Sequence, residues 1–377
     1  MVKNAVLLAN ALAERGCRVT LLACSLAGHE GYGIDPAVTL VSAGQAGGKP
    51  AIRAVRLAMA LPALRRALKR IGPDVLLSAG NHGHWAALAA SAAMPGLARM
   101  LRISSGLEHY GDGFIRRGLR RAGHRLVLAC AQRLLLVSPH LARDPLLAAA
   151  LAAGRAELTP NGIAAEEVRR RAAEPFAHPW LAGSTPLVVT LARLVPAKNL
   201  ATLLRALALA VKQRPIRLVI AGGGSARARR RLERLALKLG IAQLVRFEGE
   251  LANPLPLLAG ANGFVLPSLW EGCSNALLEA LALGVPVVAA RTAGNAQELL
   301  DHGRFGLLVD PLDAAAMAKA MLYQLSATPV RPQARAGDFP AAAAIARCCC
   351  AITRPLNEGR LPWWRAARDG PAGQTGA

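Results

Sequence analysis

Acidic side chains are scarce in this chain: 23 Asp and Glu stand against 46 Lys and Arg over 377 residues, a formal charge of +23. So basic a surface is no match for cationic partners and draws phosphates, nucleotides or anionic lipid. Ala and Arg dominate the sequence, and solvated basic helix faces account equally well for part of the excess. Aromatic residues make up only 4%. Without aromatics or a binding motif, charge alone does not make a nucleic-acid binder. The seven cysteines, at 17, 24, 130, 273, 348, 349 and 350, include no C-x-x-C pair, which excludes the common zinc and redox spacings. An odd, unpatterned set fits a reducing cytosol. Cys348, Cys349 and Cys350 are consecutive, so on a helix their thiols point about 100° apart and cannot share one ion.

Membrane-length apolar runs are also missing. The longest stretch without Asp, Glu, Lys or Arg, residues 75–98, carries Asn81, His82, His84, glycines and a proline, a poor composition for a span. The opening "MVKNAVLLANALAERG" has the Lys, apolar core and small residues of a signal peptide. An amphipathic helix closed by Gly16, followed by a buried strand in "CRVTLLAC", accounts for it better.

What is present is alternation. Strand patterns at 18–23, 74–78 and 133–137 and helical patterns at 52–70 and 84–93 occupy the first half. Strands at 186–194, 216–222, 245–250, 263–268 and 286–290 alternate with helices at 199–213, 227–239 and 275–283 in the second. Such alternation predicts an α/β architecture of two doubly wound, Rossmann-like domains with parallel sheets facing across a cleft. Length agrees, since roughly 150 to 200 residues suit one domain. The expected division is 1–165 and 166–330, with the boundary inside 161–185. A helix over 338–354 is expected to pack back on the first domain. The Gly-, Pro- and Arg-rich tail 355–377 reads as disordered.

The stretch "SLWEGCSNALLEALALGVPVVAA", residues 268–290, sets Glu271 and Glu279 eight positions apart among apolar residues. The strand before it ends near Ser268, a loop runs to Cys273, and Ser274 is placed to cap a helix starting at Asn275. That helix start aims free N–H groups and a positive dipole end beyond the strand's carboxyl end, which makes an anion site of the backbone from Cys273 to Ala276. Carboxylates beside an anion site repel the anion unless the ligand also carries hydroxyl donors. A phosphate flanked by a ribose and a sugar ring meets both demands. In "LARLVPAKNL", Arg193 and Lys198 follow another strand across a Val-Pro turn and suit a diphosphate whose charge grows as it leaves. Two ordinary basic residues on a solvated loop would read the same.

"LVIAGGGSARARRR" has the strand, glycine turn and helix of a dinucleotide site, but Gly222, Gly223 and Gly224 are consecutive and the later glycine is missing, which favours a structural turn. Arg227, Arg229, Arg230 and Arg231 beyond it read as a solvated face, with attraction to anionic lipid as the alternative. His82 and His84 in "GNHGHW" follow a strand's carboxyl end, a place for acceptor-side residues or for ordinary loop histidines.

From about residue 4 to 321 the chain resembles a family 4 retaining glycosyltransferase of the GT-B fold. The matching pieces are "LANALAERGCRVTLL", "PDVLLS", "LLVSPHL", "LTPNGI", "ARLVPAKNLATLLRAL", "LVIAGGG", "VRFEGE", "LPSLWEGCSNALLEALALGVPVVA" and "GLLVDPLD", in register. The E-x7-E element from Glu271 to Glu279 is the most specific of them. The resemblance implies that Arg193 and Lys198 bind the donor diphosphate, Glu279 holds the ribose hydroxyls and Glu271 a hydroxyl of the transferred sugar. Cys273, Ser274, Asn275 and Ala276 would then cradle phosphate, and His109 in "SGLEHYGDG" would lie near the reacting sugar.

It further implies retention at the anomeric carbon, a UDP- or GDP-sugar as substrate, no cofactor and no D-x-D metal. A cytosolic enzyme held peripherally at the membrane, transferring to a glycan or lipid-linked acceptor in polysaccharide or lipopolysaccharide synthesis, is the resulting expectation. A non-catalytic nucleotide-sugar binder and a sugar-nucleotide epimerase of the same fold are the alternatives. The family opens with a strand and a glycine-rich turn ahead of the helix with which this chain begins. The expectation is therefore a missing central strand, from a late start or a truncated copy.

Overall fold

The computed structural model describes residues 2–23, 33–43, 53–107, 114–326, 328–330, 332 and 335–357. The expected tail 355–377 lies outside the described residues from 358 on, as does His109. The first unit runs α1 (Val2–Ala13), β1 (Thr20–Ala23), β2 (Thr39–Ser42), α2 (Arg53–Ile71), β3 (Val75–Ser78), α3 (His84–Ser91), β4 (Ala98–Ile103), α4 (Phe114–Ala129), β5 (Arg133–Leu136), α5 (Pro145–Ala152) and β6 (Ala156–Leu158). The second begins with α6 (Ala165–Ala172) and continues β7 (Leu187–Leu191), α7 (Leu200–Ala210), β8 (Arg217–Ala221), α8 (Ala226–Lys238), β9 (Val245–Gly249) and α9 (Leu255–Ala259). It closes with β10 (Gly263–Leu266), α10 (Asn275–Ala282), β11 (Val287–Ala290), α11 (Ala296–Leu299), β12 (Leu307–Val309) and α12 (Ala314–Gln324), and α13 (Ala341–Asn357) follows.

Two Rossmann-like α/β domains with parallel sheets thus face each other across a cleft, as the alternation predicts. In the second unit the six strands form one parallel sheet, ordered β12-β11-β10-β7-β8-β9. Strands β7 and β10 are apolar at almost every position and buried, the pattern of parallel strands covered on both faces. One face packs under α6, α9 and α10 around Phe264, Leu277 and Leu281. The other packs under α7, α8 and α12 around Leu203, Leu207 and Met317. Helix α6 packs against α9 and α10, so it belongs to this unit.

The first unit's strands fall into two parallel sheets, β1-β2 and β3-β4-β5-β6. Both back onto the same helices: Leu8 and Leu12 of α1 and Cys348, Cys349 and Ile352 of α13 share a core with Val19 beside β1, Val75 and Leu77 of β3, and Met100 of β4. Helix α13 therefore packs on the first unit, and Ala341 at its start donates to the carbonyl of Ile163.

Several elements escape the sequence pattern. The arginines in β4 break its apolar run, yet Arg99 donates to the Ser91 and Met94 carbonyls and Arg102 Nη2 to Asn161 Oδ1, while the buried Arg102 Nε has no partner among the described residues. Helix α4 is hidden by arginines around most of its circumference.

Candidate active site

In the six-stranded sheet the chain proceeds from β7 outward to β8 and β9 on one side, and on the other side from β10 outward to β11 and β12. The boundary between the neighbours β7 and β10 is a topological switch point, where the loops leaving the strands' carboxyl ends part and open a crevice. The loop after β7 carries Arg193 and Lys198; the loop after β10 carries Ser268 to Ser274. Chain connectivity alone therefore brings the cations to the carboxylates.

The two loops are joined directly. Leu269 N–H donates to the Ala197 carbonyl at 2.8 Å. Lys198 Nζ donates to Glu271 Oε1 at 2.5 Å, with 18% of the lysine and 10% of the glutamate side chain exposed. Ser268 Oγ donates to the same oxygen at 2.5 Å. Both bonds fall on Oε1, and Oε2 accepts none from a described residue. The carboxylate is thereby fixed by one oxygen and offers the other to a ligand. Arg193 is exposed two residues beyond β7 and forms no ion pair with a described residue. Its position is held by the Ala192 and Leu194 N–H groups, which donate to the Ala221 and Gly223 carbonyls. A Cβ on Gly222, at φ +148°, would stand 2.2 Å from the Ala192 carbonyl oxygen. The consecutive glycines let these two loops touch, a structural turn as the sequence reading has it.

Ser274 caps α10, its buried Oγ accepting from Leu277 N–H at 3.4 Å. Glu279 lies half-buried on the second turn of α10. Cys273 is enclosed: Asn295 Nδ2 donates to its Sγ at 3.3 Å, and burial pushes the thiol pKa up to about 12. It stays protonated at neutral pH, which leaves its backbone as the part available to a ligand. Ala276, at the next helical position after Asn275, is half-buried.

The opposite wall comes from the first unit. Ser105 forms an antiparallel bridge with Gly272, where a Cβ would stand 2.2 Å from the Ser104 carbonyl oxygen. Only glycine admits that approach. Asn81 anchors the same loop, donating to Ser105 and accepting from Ser104 N–H at 2.8 Å. Arg102 donates to Asn161, Asn161 Nδ2 to Asn275 Oδ1 at 3.0 Å, and Asn275 Nδ2 to Asn4 Oδ1 at 3.3 Å, a polar chain crossing between the units. Sequence reasoning missed Ser268, Asn161, Asn81 and Ser105, because hydrogen bonds between distant residues leave no spacing signal.

The histidines part ways. His82 is exposed at the start of the segment leading into α3. His84 is buried, with Ser78 Oγ 2.8 Å from Nδ1 and no partner for Nε2 among the described residues. Burial and the neighbouring His124 and His82 lower its pKa to about 4, so it is neutral. His84 is thus enclosed beside Ser78, whereas His82 is exposed. No group of His, Cys, Asp and Glu among the described residues could hold a metal ion.

Residues 1–162 match the family described as glycosyl transferase 4-like domain, and residues 185–327 the family described as glycosyl transferases group 1. A lipopolysaccharide core biosynthesis glycosyltransferase of Rhizobium meliloti is 36% identical over 136 residues, which is 36% of this chain and 38% of that protein. A GDP-mannose-dependent alpha-(1-6)-phosphatidylinositol monomannoside mannosyltransferase of Mycolicibacterium smegmatis is 40% identical over 149 residues, covering 37% and 38%. The chain thus spans about two fifths of the length of the curated relatives it matches. Among solved structures, sucrose-phosphate synthase from Thermosynechococcus elongatus superposes with a TM-score of 0.76 at 22% identity, over 94% of this chain and 93% of that one. Anabaena HepE in complex with UDP gives 0.69 at 18%, over 93% and 96%. The two family matches lie in tandem, one on each Rossmann-like unit, so each half of the chain is similar to a glycosyltransferase domain and the whole has a GT-B-like fold.

Proposed function

We propose that the protein transfers a sugar from a nucleotide-sugar donor to an acceptor hydroxyl, with retention at the anomeric carbon, in polysaccharide or glycolipid synthesis. The contact of Lys198 Nζ with Glu271 Oε1 at the switch point carries this reading. It joins a cation suited to a departing diphosphate with a carboxylate suited to a sugar hydroxyl, beside the start of α10. In the proposed complex the donor diphosphate lies over the backbone of Cys273 to Ala276. Lys198 and Arg193 offset the charge that develops on it as the glycosidic bond breaks. Glu271 accepts from the sugar through Oε2, and Glu279 accepts from the ribose hydroxyls. Holding donor and acceptor at reacting distance supplies much of the remaining acceleration. The relatives named for lipopolysaccharide core biosynthesis and for a phosphatidylinositol mannoside support a lipid-linked acceptor.

The test is direct. Thermal melting with UDP, GDP and their sugars identifies the base, and mass spectrometry of donor turnover identifies the sugar. A melting shift that Lys198→Ala and Glu271→Ala each abolish is the expected result. A cooperative transition indifferent to every nucleotide overturns the assignment.

A further inference from the structure

Arg102, near the end of β4, is a buried cation without a countercharge. Only 9% of it is exposed, Nη2 donates to Asn161 Oδ1 at 2.6 Å, Nε has no partner, and the residue forms no ion pair among the described residues. A guanidinium held this way is costly. Glu157 on β6, whose charge reaches the same Cys348 thiol as that of Arg102, does not serve it, because both Glu157 oxygens accept from Arg354, at 3.0 and 3.3 Å. Glu271 is taken by Lys198 and Ser268. Burial raises the Cys348 pKa and keeps that thiol neutral, so it supplies no charge either.

What Arg102 does supply is direction. Arginine only donates, so Asn161 turns its oxygen to Arg102 and its amide nitrogen to Asn275 Oδ1 at 3.0 Å, and Asn275 in turn sends its own nitrogen to Asn4 Oδ1 at 3.3 Å. One guanidinium orients three amides. The consequence falls on Asn275, the first residue of α10, since an asparagine can bend its side-chain oxygen onto neighbouring backbone N–H groups and occupy them. Here that oxygen is tied to Asn161. Ser274 Oγ accepts from Leu277 N–H, whereas the N–H groups of Asn275 and Ala276 donate to no described residue. The start of α10 is thus left open to an anion, with a full positive charge behind it. That charge is felt at Cys273, where burial governs the thiol and Arg102 pulls against it.

We infer that Arg102 is a positioning residue for the donor diphosphate. It acts through Asn161 to keep Asn275 off the first N–H groups of α10, and its own charge is the one that the diphosphate completes. This rests on the nucleotide-sugar reading given above. A purely structural residue at this place is better served by an apolar side chain, because replacing a buried charge with a well-packed apolar group is often neutral or stabilising. Retaining the charge makes sense where an anion arrives.

Calorimetric titration of the full chain with UDP and GDP, beside melting of the unliganded protein, tests it. Arg102→Met should weaken the nucleotide that the wild type binds by at least about tenfold, while the unliganded melting temperature stays level or rises. Arg102→Lys, which keeps the charge and a donor, should recover most of that loss. Asn161→Asp places a carboxylate against Arg102 and cancels its charge in an ion pair, so it should weaken the nucleotide much as Arg102→Met does; it carries the test if the methionine variant does not fold. Wild-type affinity in either Arg102→Met or Asn161→Asp overturns the inference. So does a loss in Arg102→Met that comes with a fall in melting temperature and that Asn161→Asp does not share, the mark of a merely structural arginine. A wild type that binds neither nucleotide overturns the donor reading and this inference with it; a wild type that binds, with variants that bind equally well, overturns this inference alone.

Discussion

The two units share a fold type but differ in how their sheets close. In the second, β7 and β10 are paired neighbours, Val188 with Gly263 and Val189 with Phe264, and are buried along nearly their whole length. In the first, β1 and β3 carry the same sort of apolar residue, but no ladder joins them among the described residues, and three of β3's four positions and all of β1's are only half-buried. A continuous sheet fixes the loops at the carboxyl ends of its inner strands, because β7 and β10 are each held by two neighbours. The Lys198–Glu271 contact sits on that kind of edge. The first unit instead holds its cleft loop by side-chain hydrogen bonds, from Asn81 to Ser104 and Ser105. One wall is positioned by the ladder and the other by polar side chains.

The strongest way to break this contrast is to hollow both cores. Phe264→Ala removes a fully buried ring from the continuous sheet and should cost about 3 to 5 kcal/mol in urea unfolding. Met100→Ala, beneath the split sheet, should cost nearer the lower end of the roughly 2 to 5 kcal/mol range, because half-buried neighbours can settle into the space. Equal losses would show that the first unit is as tightly braced as the second.

A second comparison is catalytic. Lys198→Ala should lower kcat for donor turnover by about 100- to 1,000-fold, whereas His84→Asn, enclosed behind Ser78, should change it only a few-fold. The reverse order would move the chemistry to the first unit. The third is a pH dependence that belongs to the first unit alone. His84 has a folded pKa of about 4 against the ordinary 6.5, so the unfolded chain binds the extra proton between those values. Its contribution is therefore complete above about pH 6.5 and lost as pH falls toward 4, by up to about 3 kcal/mol. Denaturation across this window should show that slope in the wild type and a flatter one in His84→Asn. The smallest effect is Ser274→Ala, which removes the cap of α10 and should cost about 1 kcal/mol, together with a measurable weakening of nucleotide binding.

The second unit was the more legible half. Its strands appear within a few residues of where apolar runs place them, because strands buried on both faces must be apolar throughout. The loops carrying Arg193, Lys198 and Glu271 could be named as site elements from the strand–loop–helix order. The first unit hid β4, whose arginines find partners only in the folded chain, and α4, whose Ile115, Leu119 and Leu126 are exposed. Sequence placed His82 and His84 alike, two residues apart after one strand; burial separated them.

By itself the amino-acid order determined the α/β alternation, the cap at Ser274, the carboxylates at Glu271 and Glu279, and the glycines where loops touch. These are local matters, set by periodicity, side-chain chemistry and backbone sterics within a few residues. Tertiary structure decided that Lys198 reaches Glu271 across 73 positions of chain, that Ser268 shares the same oxygen, and that Asn161 links to Asn275 between units. Those contacts depend on which strands become neighbours, and strand order is a property of the whole packed chain.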